Sequence, residues 1–263
     1  MQDLKTRHHA VELVLAAVNK HFCFSSRSTF IDKIGRGTEM VGQLDLAIDK
    51  FVRGKLVQFC PDDLVISEEV VRNAGKLPDN YWLLDPLDGT HNTAFGWGLY
   101  GTMLAYIVRG QVQLGGILLP EYQETWTVQR GGGVWLNGCR FRPKKAEIAK
   151  PLAIGCSALR YSGQKYLLLL KALSEKGFSV RLIGSDAVAF PMIAAYGGVY
   201  VASPFEPWDV AVGTLLIEEL GGRVTDFGGN DWDFTSPSLC AHRLTPAQAV
   251  KMNLSFRMAG IRK

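Results

Sequence analysis

Two aspartates followed by a glycine and a threonine form the segment of this sequence best suited to chemistry. The apolar run Trp82–Leu84 leads directly into Asp85-Pro-Leu-Asp88-Gly-Thr90. Because proline interrupts a strand's hydrogen-bond ladder and glycine permits a tight turn, we expect the strand to end there with both carboxylates exposed at the edge of a sheet. If a helix follows, its first N–H groups provide a seat for an anion. An Asp-rich turn whose side chains bond only to their own backbone is the alternative.

Two further apolar segments end or begin at carboxylates. Glu68 and Glu69 follow the run Leu64–Ser67, and Asp209 lies beside Trp208 at the predicted start of a helix. Each has a simpler explanation, because acids at a strand end can be solvated charges and an acid in the first turn of a helix is favoured by the helix dipole. Three such ends in one chain nevertheless favour a common site, and carboxylate oxygens are the ligands that Mg²⁺ prefers.

Charge balance indicates how many cations such a site needs. Four acids carry one negative charge each, namely Glu68, Asp85, Asp88 and Asp209, and a bound phosphate monoester adds about −2 near neutral pH. Such a cluster cannot stay ionised without counterions, so we expect about two or three Mg²⁺ ions, or Mn²⁺ in their place. No serine, cysteine or histidine set is better placed as a nucleophile, and His91 is interpreted as a loop residue rather than a base.

The elements that must position these residues fall into two halves. Residues 3–20 and 43–57 have the apolar periodicity of two helices, and β-rich segments up to residue 129 predict an antiparallel meander. From residue 152 onwards, segments typical of strands and helices alternate, ending with a helix over Pro246–Arg257. We therefore predict an α+β half over residues 1–145 and an α/β half over residues 146–263.

Composition excludes several other classes of protein. The chain has 263 residues, 47% of them hydrophobic and 21% charged, which is enough for a large core and argues against disorder. No apolar run approaches the ~18–20 residues that span a bilayer. The net charge is only +4, and the basic run Arg140–Lys145 is interpreted as a solvated loop. Five scattered cysteines favour reduced thiols. We expect a soluble cytoplasmic protein without membrane or nucleic-acid partners.

The motifs of this chain resemble those of the inositol monophosphatase family. The resemblance rests on Ile66-Ser-Glu68-Glu69, Asp85-Pro-Leu-Asp88-Gly-Thr90-x-Asn92, Trp208-Asp209-x-Ala211-x-Gly213 and the trailing Glu219-Leu-Gly221-Gly222. The stretches Arg130–Gly138 and Ile183–Ser185 extend it over nearly the whole chain. That family belongs to the wider group of Mg²⁺-dependent, lithium-sensitive phosphatases, which includes fructose-1,6-bisphosphatases and bisphosphate nucleotidases.

The resemblance implies a layered α-β-α-β-α sandwich and a set of residue roles. The α+β half would carry most metal ligands, and the α/β half would supply Asp209 and the substrate contacts. The implied metal ligands are Glu68, Asp85, the Leu87 carbonyl, Asp88 and Asp209. The implied phosphate-binding groups are Asp88, Gly89 and Thr90. The implied catalytic residues, which orient the attacking water and take its proton, are Asp45, Glu68 and Thr90.

Departures from the family pattern bear on the substrate. Gly42 stands where the family usually has threonine, close to Asp45 in sequence. Ala202 stands where inositol-selective members place an acid, so we expect inositol phosphate to be a poor substrate. Asp186 occupies a position that faces substrate in the family, as in histidinol-phosphate phosphatases, and is either an acceptor for a substrate hydroxyl or amine or a helix N-cap. The other expected substrate contacts are Ser185 and Glu206.

The activity implied by the resemblance is that of a metal-dependent phosphoric monoester hydrolase. Its substrate would be a small phosphorylated polyol, sugar or amino alcohol, attacked in line by an activated water. The alternatives are a histidinol-phosphate phosphatase, a bisphosphate nucleotidase or fructose-1,6-bisphosphatase, and a catalytically weak homologue that binds or regulates. The resemblance also implies inhibition by lithium and a homodimer, for which the apolar strands Gly101–Leu119 offer candidate surface.

Overall fold

The computed structural model describes residues 4–22, 42–69, 78–143, 150–155 and 164–259. The predicted boundary between residues 145 and 146 lies outside these ranges, as do Cys23, Cys156 and the lysines that end the basic run. The division into two halves therefore stays a prediction.

Two long helices and a seven-stranded sheet account for most of the described residues up to residue 140. Helices α1 (Leu4–His21) and α2 (Gln43–Phe59) occupy the two predicted positions. The strands are β1 (Leu64–Ser67), β2 (Asn80–Asp88), β3 (Gly101–Val108), β4 (Gln111–Leu119), β5 (Glu124–Gln129), β6 (Gly133–Leu136) and β7 (Cys139–Arg140). They lie in the sheet in sequence order, with β1 parallel to β2 and the others antiparallel. The predicted meander is confirmed, and β6 and β7 extend it.

Helices and strands alternate from residue 152 onwards, as predicted. The helices there are α4 (Gln164–Glu175), α5 (Asp186–Tyr196), α6 (Pro207–Glu219) and α7 (Pro246–Met258), and the short helix α3 (Thr90–Ala94) follows β2. The strands are β8 (Leu152–Gly155), β9 (Ser179–Leu182), β10 (Gly198–Ala202), β11 (Arg223–Thr225) and β12 (Leu239–Arg243). They form a second sheet in the order β11-β12-β10-β8-β9.

Three apolar cores hold these elements in five layers. Helices α1 and α2 cover the outer face of the first sheet, where Leu15 packs in one core with Trp82. Helices α5 and α6 lie between the sheets, and Phe190 shares the largest core with residues from both sheets. Helices α4 and α7 cover the outer face of the second sheet. The α-β-α-β-α sandwich is confirmed, because each sheet buries both of its faces against helices.

The strands proposed above as dimer surface are interior. Within β3 and β4 only Val108, Gln111 and Gln113 are not buried, because α1 lies against β4 on one face of the sheet and α6 lies against both strands. The expectation that Gly101–Leu119 offers a dimer surface is therefore wrong. Exposed aromatic side chains lie instead at Phe95 and Trp97, which are 65% and 57% exposed.

Two observations concern the environment of the chain. No helix in the described ranges is both long enough and apolar enough to cross a membrane. Among the described cysteines, Cys60 and Cys240 are buried, Cys139 is exposed, and all three are free thiols.

Candidate active site

Strand β2 carries the first two aspartates past a proline. The strand continues through Pro86 to Asp88, and its register against β3 shifts between Asp85 and Asp88. A bulge of this kind leaves residues outside the ladder, so the missing N–H of proline costs no hydrogen bond there. The Thr102 hydroxyl donates to the freed Pro86 carbonyl at 2.8 Å. The expectation that proline ends the strand with both carboxylates exposed is therefore wrong, since Asp85 is only 2% exposed.

The turn after β2 requires glycine and leads into a short helix. Gly89 has φ +85°, and a Cβ there would lie 2.6 Å from the Leu99 carbonyl oxygen, so other residues are excluded. Helix α3 begins at Thr90, as the anion-seat argument requires. The Thr90 hydroxyl lies 2.9 Å from the Leu87 carbonyl oxygen and 3.4 Å from Oδ2 of Asp45. The turn thus brings the Thr90 hydroxyl close to Asp45 of helix α2.

The Asp88 carboxylate lies against the N-terminus of α5. Ser185 donates its hydroxyl hydrogen to Oδ2 of Asp88, and the Ala187 N–H donates to the same oxygen at 2.8 Å. The Ser185 hydroxyl also accepts from the Val188 N–H at 3.3 Å, which makes Ser185 the N-cap of α5. The alternative in which Asp186 is the N-cap is therefore wrong. The sequence alone did not predict this contact, because Ser185 and Ala187 lie 97 and 99 residues after Asp88 in the chain.

The remaining expected substrate residues lie in different surroundings. Asp186 is 7% exposed and accepts the Tyr200 hydroxyl at 2.9 Å. Burial and the nearby Asp88 raise the pKa of Asp186 to about 8. Glu206 is exposed at the start of α6 and makes no side-chain cap bond, and burial of part of its carboxyl raises its pKa.

Asp45 and Glu68 approach the motif from the outer side. Asp45 is in the first turn of α2, is 2% exposed, and leaves Oδ1 without a partner among the described residues. Burial, followed by repulsion from Glu69 and Glu68, raises its pKa to about 9. Glu68 is exposed directly after β1, where its N–H donates to the Leu84 carbonyl at 3.2 Å.

The acids at the centre of the site repel one another. Burial raises the pKa of Asp85 well above its usual value, and the charges of Glu68, Asp88 and Asp209 raise it further. Asp209, in the first turn of α6, has its pKa raised by burial and then by Asp186, Asp88 and Glu68. No lysine or arginine of the described ranges forms an ion pair with Asp45, Asp85, Asp88 or Asp209. Within the described ranges, no ion pair therefore offsets the burial and repulsion that raise these pKa values.

This donor set fits a hard divalent cation. It consists of carboxylate oxygens with the Leu87 carbonyl nearby, and Oδ1 of Asp45 is a buried acceptor for which the described part of the chain supplies no donor. A cation at this place would offset both the repulsion and the desolvation that raise the pKa values. Across the described residues, no three His, Cys, Asp or Glu side chains already stand in the arrangement of a metal centre. Binding an ion would therefore require side-chain adjustment.

Asn92 lies inside the motif but does not face a ligand. Its side chain is buried and donates to three carbonyl oxygens, those of Leu99 at 2.8 Å, Ile183 at 2.8 Å and Gly184 at 3.1 Å. The last two belong to the segment just before α5. Asn92 therefore joins the motif to the segment that carries Ser185, a role that its position in the sequence alone does not reveal.

Comparison with known proteins identifies the family. The model of the inositol monophosphatase family matches residues 4–255. The chain is 29% identical over 210 residues to a Thermotoga maritima protein named fructose-1,6-bisphosphatase/inositol-1-monophosphatase, covering 76% of this chain and 78% of that protein. It is 28% identical over 199 residues to a Vibrio cholerae protein named Nus factor SuhB, covering 74% of each.

A solved structure shares the fold. The extragenic suppressor protein SuhB from Bartonella henselae superposes with a TM-score of 0.79 at 23% identity, covering 97% of this chain and 98% of that one. The match of the family model over residues 4–255 includes every motif on which the resemblance rests. The chain therefore belongs to the inositol monophosphatase family, a family of phosphoric monoester hydrolases.

Proposed function

We propose that the protein is a Mg²⁺-dependent phosphomonoesterase that acts on a small phosphorylated metabolite. The observation that carries this proposal is a group of four mutually repelling aspartates that form no ion pair with any described lysine or arginine, namely Asp45, Asp85, Asp88 and Asp209. Such a cluster is unstable at neutral pH by itself and is suited to divalent cations and an anionic substrate. Membership in a family of metal-dependent phosphatases supports the same function.

The proposed metal ligands are Glu68, Asp85, the Leu87 carbonyl, Asp88 and Asp209. Two or three Mg²⁺ ions balance their charge and that of the phosphate, and Mn²⁺ is the expected substitute. When bound, the cations supply Lewis-acid activation of water and stabilise charge on the phosphoryl oxygens.

The phosphate is proposed to lie at the turn before α3. The first N–H groups of a helix have no acceptor within the helix, so Gly89 and Thr90 can donate to phosphoryl oxygens. Gly89 has a positive φ and directly follows Asp88, the last residue of strand β2, so the turn begins where the strand ends.

Thr90 and Asp45 are proposed to handle the proton of the attacking water. The Thr90 hydroxyl orients the water, and Oδ2 of Asp45, 3.4 Å from that hydroxyl, accepts the proton, with Glu68 as the alternative acceptor. The water oxygen bonds to phosphorus as the bond from phosphorus to the alcohol oxygen breaks. The departing oxygen takes a proton from solvent water and Asp45 returns its proton to solvent, which gives inorganic phosphate and an alcohol. No covalent intermediate with the chain is required.

The substrate is proposed to be a phosphorylated polyol, sugar or amino alcohol. Asp186 and Glu206 are the proposed contacts, and Glu206 is the more exposed of the two. Ala202 is fully buried and has no side chain that accepts a hydroxyl hydrogen, which supports weak activity on inositol phosphate. A histidinol-phosphate phosphatase, a bisphosphate nucleotidase and a fructose-1,6-bisphosphatase are the alternatives within the same chemistry.

A substrate panel tests this function. Purified protein is assayed for phosphate release from sugar, polyol, amino-alcohol and nucleotide phosphates, with Mg²⁺ or with a chelator, and Asp209→Asn serves as the inactive control. We expect Mg²⁺-dependent release from at least one small monoester, inhibition by lithium, and weak activity on myo-inositol 1-phosphate. Release that persists in the chelator contradicts the proposal.

A regulatory or binding homologue is the second candidate. Gly42 in place of the usual threonine, directly before the helix that carries Asp45, and the relative named Nus factor SuhB favour it. It predicts no turnover of any substrate in the panel.

The expected lack of a nucleic-acid partner and the cytoplasmic location stay predictions.

A homodimer is also proposed. The exposed Phe95 and Trp97 have ring centroids 5.6 Å apart and give an apolar surface that a second copy would cover. Light scattering at micromolar concentration should give about twice the 29.0 kDa chain mass, and the monomer mass contradicts this.

A further inference from the structure

Residues at the start of helix α5 hold the Asp88 carboxylate by hydrogen bonds. Its Oδ2 accepts the Ser185 hydroxyl hydrogen and the Ala187 N–H, and the Asp186 N–H also bonds to it. These donors all belong to the first turn of α5, more than 90 residues further along the chain. The direction of the Asp88 carboxylate is therefore set by where α5 begins.

The Ser185 hydroxyl has no hydrogen left to donate in this arrangement. A hydroxyl has one hydrogen to donate, and that of Ser185 is given to Asp88. Its oxygen accepts the Val188 N–H at 3.3 Å, and the residue is only 3% exposed. No hydrogen is left for a substrate oxygen, so the contact to Asp88 competes with the substrate role expected above.

Asn92 fixes the position of the segment before α5. Its amide donates to the carbonyls of Ile183 and Gly184, the two residues that precede Ser185. A Cβ on Gly184 would lie 3.2 Å from the Asn92 amide, and one on Gly89 would lie 3.2 Å from Cβ of Ser185. The motif and the start of α5 are therefore in close contact at both glycines.

We propose that Ser185 is a positioning residue for Asp88, held in place by Asn92, rather than a substrate contact. The inference rests on the proposed function, since it assigns Asp88 a place among the cation ligands. Removing a partner that orients a metal-ligating side chain typically lowers the metal affinity about 10–100-fold. Ser185→Ala should therefore weaken cation binding and should reduce turnover of every substrate alike.

The test measures Mn²⁺ binding by electron paramagnetic resonance, without substrate. We expect Ser185→Ala to raise the Mn²⁺ dissociation constant about 10–100-fold, and Ser185→Thr to restore it because the hydroxyl is kept. Thr245→Ala is the matched control, since Thr245 caps α7 through the Gln248 N–H at 3.4 Å, far from the motif in sequence. It removes an N-cap and should leave Mn²⁺ binding unchanged.

Substrate kinetics separate the two roles. A positioning residue predicts equal losses in kcat/KM for a featureless aryl phosphate and for the best substrate of the panel. A substrate contact predicts unchanged Mn²⁺ binding and a raised KM for the best substrate alone, and that result overturns the inference. If the unmodified protein binds no Mn²⁺ at this site, the proposed function fails instead, and Asp88→Asn shows whether the observed Mn²⁺ signal comes from the motif.

Discussion

Replacing Asp88 by asparagine should stabilise the metal-free protein and disable the enzyme. Burial raises the pKa of Asp88 despite its hydrogen bonds to Ser185 and Ala187, so the metal-free fold favours a neutral side chain at this position. An asparagine oxygen can still accept the two hydrogen bonds that Ser185 and Ala187 donate to Oδ2. The substitution therefore removes a charge without removing the contacts to α5.

The size of the effect follows from the neighbouring acids. The charge of Asp88 raises the pKa of both Asp85 and Asp209. Each pKa unit by which a neighbour falls back toward its unfolded value returns about 1.4 kcal/mol at neutral pH. For a chain of this length that corresponds to a rise in Tm of about 2–4 °C. Loss of an electrostatic stabiliser should lower kcat by ~10²-fold or more.

Thermal denaturation in a chelator and turnover in Mg²⁺ measure the two effects. Asp63→Asn is the matched control, because Asp63 is a shielded carboxylate that pairs with Arg7 at 2.8 Å and accepts from Trp82 at 3.0 Å. It should lower Tm and leave the Mg²⁺ dependence of turnover unchanged. The reasoning is refuted if Asp88→Asn turns over at the wild-type rate, or if it lowers the metal-free Tm as Asp63→Asn does.

Three further predictions follow from the same site. Asp45 and Asp186 have pKa values of about 9 and about 8 in the folded chain, above the unfolded value near 4. The metal-free folded state thus holds protons that the unfolded chain releases, so its stability should fall as pH rises above about 5, with the Asp186 contribution ending near pH 8 and the Asp45 contribution near pH 9. Denaturant titrations that show stability rising over this range contradict the assignment. Added Mg²⁺ should raise Tm more at pH 9 than at pH 6, and an equal rise at both would mean that the ion binds away from these acids. Thr90→Ala should lower kcat on an aryl phosphate by ~10²-fold while Thr90→Ser keeps most of it, and equal losses would indicate that the methyl group matters rather than the hydroxyl.

Local sequence patterns predicted most of the architecture. Helices α1 and α2 lie at the predicted residues 3–20 and 43–57, and helix α6 (Pro207–Glu219) starts beside Trp208, as predicted. These elements have continuous apolar patterns set by their own neighbours in sequence, so a single chain suffices to find them. The short strands β6 and β7 lack such a pattern because a four-residue and a two-residue strand offer too few side chains.

The details of the site were less accessible from sequence. The carbonyl freed by the bulge at Pro86 accepts a hydrogen bond from the Thr102 hydroxyl of β3, and the Asp88 carboxylate accepts hydrogen bonds from the start of α5. Neither partner belongs to the motif. Asp186 was expected to face either substrate or its own backbone, and its acceptance of the Tyr200 hydroxyl could not be foreseen, since Tyr200 is in β10. The motifs thus predicted which side chains belong to the site, whereas the orientation of those side chains depends on partners far away in sequence.

Anomalous diffraction from a crystal soaked in Mn²⁺ tests the central claim most directly. We predict two or three Mn²⁺ peaks ligated by Glu68, Asp85, the Leu87 carbonyl, Asp88 and Asp209. Peaks confined to other surface carboxylates, or no peak beside these acids at saturating Mn²⁺, would contradict it.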